Sequence, residues 1–164
     1  MTLLDRYARL LDQVRDALIR HYGSRLVAVA VYGSVGRGTP REASDVDLLI
    51  VARDLPPGRT SRVEEFLPVE AGLEAALRAV TPGGAPIMLS PVFKTPEEAE
   101  HGSPLFLDMV EDARLLYDPE GFLARRLGRL RARLAELGAR RIWRGNAWYW
   151  DLKPDLKPGE IITL

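Results

Sequence analysis

Gly33-Ser34-Val35-Gly36-Arg37-Gly38-Thr39-Pro40-Arg41-Glu42-Ala43-Ser44-Asp45-Val46-Asp47-Leu48-Leu49-Ile50-Val51 joins a glycine-rich turn to two alternating carboxylates that open an apolar run. The turn follows another apolar run, Leu26 to Tyr32, so both halves of the motif hang from strands. Side chains alternate between faces along a strand, so Asp45 and Asp47 point one way and Val46 the other. Two carboxylates that close repel, and one must protonate unless a divalent cation lies between them. Magnesium suits the pair, because it takes a few protein oxygens and completes its shell with water and phosphate. Gly33 permits a close backbone approach, Ser34 is placed to cap a short helix, and free amides at a helix start bind phosphate. The guanidinium fork of Arg37 matches phosphate oxygens.

The pattern therefore predicts a triphosphate and metal site, with Gly33, Ser34 and Arg37 on the nucleotide and Asp45 and Asp47 on the metal. Either half alone is common, as an ordinary turn or a solvated strand end; the combination on two strands carries the reading. No Gly-Lys-Ser or Gly-Lys-Thr follows the glycines, which excludes a Walker A loop, and Gly33, Gly36 and Gly38 have the wrong spacing for a dinucleotide fingerprint.

Gly33-Ser34, ten further residues and Asp45-Val46-Asp47 resemble the signature of the minimal nucleotidyltransferase (MNT) family of the DNA polymerase beta-like nucleotidyltransferase superfamily. The order of elements resembles that fold from Leu26 to Tyr117. The resemblance implies an α/β (α+β) domain, a short mixed β-sheet with flanking helices. It further implies transfer of a nucleoside monophosphate, AMP from ATP, to an acceptor with release of pyrophosphate. Asp45 and Asp47 would be the catalytic pair, holding one or two Mg2+ ions. Relatives of this size divide between chains that modify small molecules such as aminoglycosides and antitoxins that add AMP to a HEPN-type ribonuclease toxin. With no appended acceptor-binding domain, the expectation here is the toxin-directed antitoxin. Catalytic members carry a third carboxylate on the strand after the intervening helix, and the matching stretch, Ala85 to Phe93, has none. Asp108 and Glu98 are the substitutes the sequence offers. If neither serves, the alternative is a module that binds nucleotide or a partner and transfers nothing.

Composition sets the frame. The chain has 164 residues, 46% hydrophobic, enough for one compact domain with a continuous core. We expect residues 1–140 to form the nucleotidyltransferase domain and residues 141–164 an aromatic hairpin and extended tail of the same domain. Formal net charge is zero, which argues against nucleic acid as a direct partner, and the oligomeric state is left open. The absence of cysteine removes disulfides and thiolate metal sites. No apolar run spans a membrane and the N-terminus is charged rather than signal-like, so the expected location is cytoplasmic.

Thr2 to Tyr22 has a helical apolar stripe through Tyr7, Leu10, Leu11, Val14 and Leu18, with Gly23 at its end. A helix from Thr60 to Val80 is expected to kink or divide at Pro68 or Gly72. Pro91 marks the third strand, Ile87 to Phe93, as an edge or a bulge. Thr95-Pro96-Glu97-Glu98 has the order of a helix start. Helices Pro104 to Val110 and Gly121 to Leu137 bracket a strand, Ala113 to Tyr117. The arginines of the last helix, Arg125, Arg126, Arg129, Arg131 and Arg133, read as a solvated face. Gly145-Asn146 signals a hairpin between Arg141–Arg144 and Ala147–Trp150. The tandem Asp151-Leu152-Lys153-Pro154 and Asp155-Leu156-Lys157-Pro158 reads as an extended path. His21 and His101 read as helix-end residues without a metal role.

Overall fold

The computed structural model describes the whole chain, Met1–Leu164. Its first helix, α1 (Leu3–Tyr22), starts at a reciprocal cap, in which the Thr2 hydroxyl accepts from the Asp5 amide and the Asp5 carboxylate accepts from the Thr2 amide. Then come β1 (Leu26–Tyr32), the single turn α2 (Gly33–Gly36), β2 (Val46–Ala52), α3 (Arg59–Gly72), α4 (Glu74–Val80) and β3 (Leu89–Lys94). The rest of the chain forms α5 (Pro96–His101), α6 (Leu105–Asp112), β4 (Arg114–Tyr117), α7 (Phe122–Glu136), β5 (Arg140–Arg144) and β6 (Ala147–Asp151).

The main sheet has the order β3-β2-β1-β4; β2 and β3 run parallel and the other neighbours antiparallel. This is the short mixed sheet with flanking helices that the sequence implies. Because β1 and β2 are central and covered on both sides, their apolar runs are unbroken. Residues Val29, Val31, Leu48 and Ile50 face a core shared with α1, α3 and α4. The alternate residues, Ala28, Ala30, Leu49 and Val51, face a second core with Phe106, Met109 and Leu127 from α6 and α7. Each wholly buried Leu or Ile here contributes about 1.5–3 kcal/mol relative to exposure.

The helix expected over Thr60 to Val80 divides at Leu73, just after Gly72, while Pro68 stays inside α3. Pro91 lies in the edge strand β3, where its missing N–H leaves no gap in the ladder. Thr95 caps α5 in a reciprocal pair with Glu98, with Pro96 at the first helical position.

Away from the glycine turn, two expectations fail. Arg126 is buried rather than solvated; its Nε donates to the Ala99 carbonyl and its guanidinium lies over the Phe106 ring. The Lys-Pro tandem is not extended. Each copy closes a turn, with the Leu156 amide donating to the Lys153 carbonyl and the Glu160 amide to the Lys157 carbonyl, and Lys153 pairs with Glu160. Proline occupies the second position of both turns, where its fixed φ is favoured.

Candidate active site

Tyr32, the last residue of β1, is registered opposite Asp47 on β2. The chain therefore leaves β1 and enters α2 directly beside the carboxylate pair. Gly33 adopts φ +65, and a Cβ built there would fall 2.2 Å from Asp47 Oδ2. Only glycine lets backbone and carboxylate share this space. Gly36 faces a similar limit, since its Cβ would meet the Asp112 carbonyl at 2.5 Å and the Val31 carbonyl at 2.8 Å. The turn is thus pressed between β1, β2 and α6. Ser34 does not cap α2, contrary to expectation: the helix begins at Gly33, Tyr32 stands at the cap, and Ser34 lies within the first turn. The Ser34 hydroxyl makes no side-chain hydrogen bond, and the first-turn amides have no partner within the helix.

Strand alternation puts Asp47 and Tyr32 on the sheet face that α6 covers, and Asp45, just before β2, lies close enough for its charge to act on Asp47. Asp45 is exposed and Asp47 half-buried. Burial pushes the Asp47 carboxyl above its usual range, the charge of Asp45 pushes it further, and Arg37 partly opposes them. The Tyr32 phenol is pushed up to about 12 by burial, then by the charges of Asp47 and Asp108. Asp47 and Asp108, the latter from α6, thus both act on the Tyr32 phenol.

Two neighbouring carboxylates, in a field that disfavours a second negative charge, suit a hard divalent cation. No three His, Cys, Asp or Glu side chains cluster closely enough to hold an ion by themselves. Ligand oxygens from a bound triphosphate would complete such a shell.

The structure separates the two substitutes for the third carboxylate. In the parallel register Asp47 lies opposite Ser90, so a hydroxyl stands beside the pair on β3. Glu98 belongs elsewhere: it receives two hydrogen bonds from Arg62, at 2.7 and 2.9 Å, and Arg62 also bonds the Phe93 carbonyl. Phe93 is registered with Ile50, three residues along β2 from Asp47, or roughly 10 Å at strand rise. The Arg62 bonds hold the Glu98 carboxyl down at about 2. Asp108, on α6, accepts the Trp148 indole N–H at 2.8 Å through Oδ1.

Arg37 occupies the turn as expected, but with a partner that the sequence did not disclose. Its Nη1 donates to Oδ2 of buried Asp112 at 2.9 Å, and Arg141 from β5 donates to Oδ1 at 3.0 Å. Arg37 makes no other side-chain hydrogen bond, and a quarter of its side chain stays exposed. A further contributor escaped the sequence reading because it sits in the apolar stripe of α1. The Tyr7 hydroxyl donates to the Ser44 carbonyl at 2.7 Å and reaches the Arg41 carbonyl at 3.2 Å, fixing the loop that delivers Asp45.

Mixed sheet, glycine turn and carboxylate pair together define a nucleotidyltransferase. The chain belongs to the nucleotidyltransferase domain family, whose model matches residues 11–113. It is 28% identical over 124 residues to a candidate protein adenylyltransferase of Methanocaldococcus jannaschii, covering 74% of this chain and 79% of that protein. Among solved structures it is similar to a chain of a toxin-antitoxin crystallised with AMP-PNP, at TM-score 0.49 and 16% identity over 77% of this chain and 92% of that one. A second likeness is to a chain of the tri-AMPylated Shewanella oneidensis HEPN toxin in complex with MNT antitoxin, at TM-score 0.39 and 14% identity over 84% and 93%. No helix of this chain is long and apolar enough to cross a membrane.

Proposed function

We propose that this nucleotidyltransferase moves AMP from ATP to a hydroxyl of a protein acceptor, acting as a protein adenylyltransferase. The observation that carries the reading is the packing of Gly33 against Asp47, which makes the phosphate turn and the metal pair one rigid unit. The protein acceptor is supported by the named activity of the Methanocaldococcus jannaschii relative. A HEPN-type toxin is the acceptor that the family resemblance implies.

In this reading the backbone at Gly33 and Ser34, with the Ser34 hydroxyl and the free donors of Arg37, cradles the triphosphate. Asp45 and Asp47 would hold Mg2+, which when bound supplies charge neutralisation on the phosphates. Asp108 takes the role that the family gives its third carboxylate. The acceptor oxygen forms its bond to the α-phosphorus as the bond to pyrophosphate breaks, pyrophosphate departs with the electron pair, and Asp108 receives the hydroxyl proton.

The test is incubation of the purified chain with labelled ATP, magnesium and candidate acceptors, including the chain itself, a HEPN-type toxin and aminoglycosides. Label on a protein supports the proposal. Label on an aminoglycoside alone would assign the enzyme to small molecules, and label on neither would overturn the reading.

A further inference from the structure

The hairpin β5-β6 lies outside the residues that the family model matches, yet its bonds run to the site. Arg141, Trp143 and Trp148 share one face of the hairpin, and that face meets α2 and α6. One ring joins both sides of the site. The Trp148 N–H donates to Asp108, and the Trp148 face carries the Arg37 guanidinium, 4.9 Å from the ring centroid. Arg141 lies 5.1 Å from the same ring centroid, and both guanidiniums share the two oxygens of Asp112. The Asp112 side chain is only 3% exposed, so the clamp closes on a desolvated charge that needs both cations.

We propose that Trp148 is a positioning residue of the transfer reaction, its ring plane setting Arg37 for the triphosphate and its indole N–H setting Asp108 for the acceptor. The C-terminal hairpin is then a working part of the active site rather than an edge ornament. This rests on the nucleotidyltransferase site described above, with Asp108 facing the acceptor. A single indole N–H on Oδ1 leaves Oδ2 of Asp108 directed by that bond and available to a hydroxyl proton. The cation–π contact with the ring face holds the Arg37 guanidinium while its remaining donors stay unbonded within the protein.

The two halves of the proposal separate by substitution. Trp148→Phe keeps a ring under Arg37 and removes the N–H. It should lower kcat by about tenfold or more, the weight of a hydrogen bond to a charged group, with KM for ATP unchanged. Trp148→Ala removes both and should raise KM for ATP as well. Asp108→Asn should lower kcat, and Trp148→Phe combined with Asp108→Asn should be no worse than Asp108→Asn alone, because one acts through the other. Calorimetric titration of Mg2+-ATP reads the Arg37 half without any acceptor: Trp148→Ala must weaken binding and Trp148→Phe must not. Additive losses in the double variant, or unchanged KM and ATP affinity in Trp148→Ala, would overturn the proposal while wild-type transfer still stood. A wild-type chain that labels no acceptor would instead sink the transferase reading, and the ATP titration would still decide whether the hairpin holds Arg37. Circular dichroism melting of each variant identifies losses that come from unfolding.

Discussion

Gly33→Ala tests the packing on which the site depends. Two costs follow from the geometry. The residue sits at φ +65, and placing a non-glycine there costs about 1–2 kcal/mol. The new Cβ would also stand 2.2 Å from Asp47 Oδ2 and 3.3 Å from its Cγ, so the carboxylate must swing aside, at about 0.5–1.5 kcal/mol for an off-rotamer side chain. The sum, roughly 1.5–3.5 kcal/mol, lowers Tm by about 4–10 °C in a chain of this size. A carboxylate at the end of a side chain can move, so the fold should survive. The metal pair should not. Mg2+-dependent ATP affinity should fall by at least about tenfold, the weight of one contact to a charged group. Gly38→Ala is the matched control: its φ is +75 and a Cβ there meets nothing within 4 Å, so it carries only the backbone cost. Thermal melting and calorimetric titration with Mg2+-ATP read both effects. Equal ATP affinities for Gly33→Ala and Gly38→Ala would show that the packing of Gly33 on Asp47 does not hold the site together.

Asp47→Asn should abolish Mg2+-dependent ATP binding yet stabilise the free protein at neutral pH. The carboxyl is raised in the folded state, so its favourable contribution exists below the unfolded value and is lost as pH rises through the folded one; melting curves across pH should show the amide variant escaping that loss. Glu98→Gln should leave transfer intact while Asp108→Asn lowers it, in parallel assays with labelled ATP. Because the Glu98 carboxyl is depressed to about 2, its contribution is present above the unfolded 4.5 and lost as pH falls through about 2, so acid titration of stability should be shallower in Glu98→Gln. Asp112→Ala leaves Arg37 and Arg141 without their buried partner and should cost about 3–5 kcal/mol in chemical denaturation.

The elements that the sequence revealed are those fixed by local chemistry. The apolar runs of β1 and β2, the Thr95 start of α5 and the edge placement of Pro91 each follow from periodicity or backbone restriction over a few residues. The glycine turn and the Asp pair were legible for the same reason, since both lie within one span of nineteen residues. What stayed hidden depends on contacts far apart in sequence. Arg126 looked like one of several solvated arginines, and only the tertiary contacts with Ala99 of α5 and Phe106 of α6 bury it. Asp112 carried no signal, because its partners stand 75 residues before it and 29 after it. Tyr7 read as core, and its hydroxyl found the Ser44 carbonyl only through the tertiary fold. The Lys-Pro tandem misled because proline suits extended chain and the second turn position equally well.

Two parallel incubations with magnesium and an acceptor protein, one with ATP labelled at the α-phosphate and one with the γ-label, decide whether the chain transfers AMP. α-Label should appear on the acceptor in step with released pyrophosphate, γ-label never should, and Asp47→Asn should remove the signal. Transfer of γ-label, or α-label transfer that survives Asp47→Asn, would contradict the proposed AMP transfer by this site.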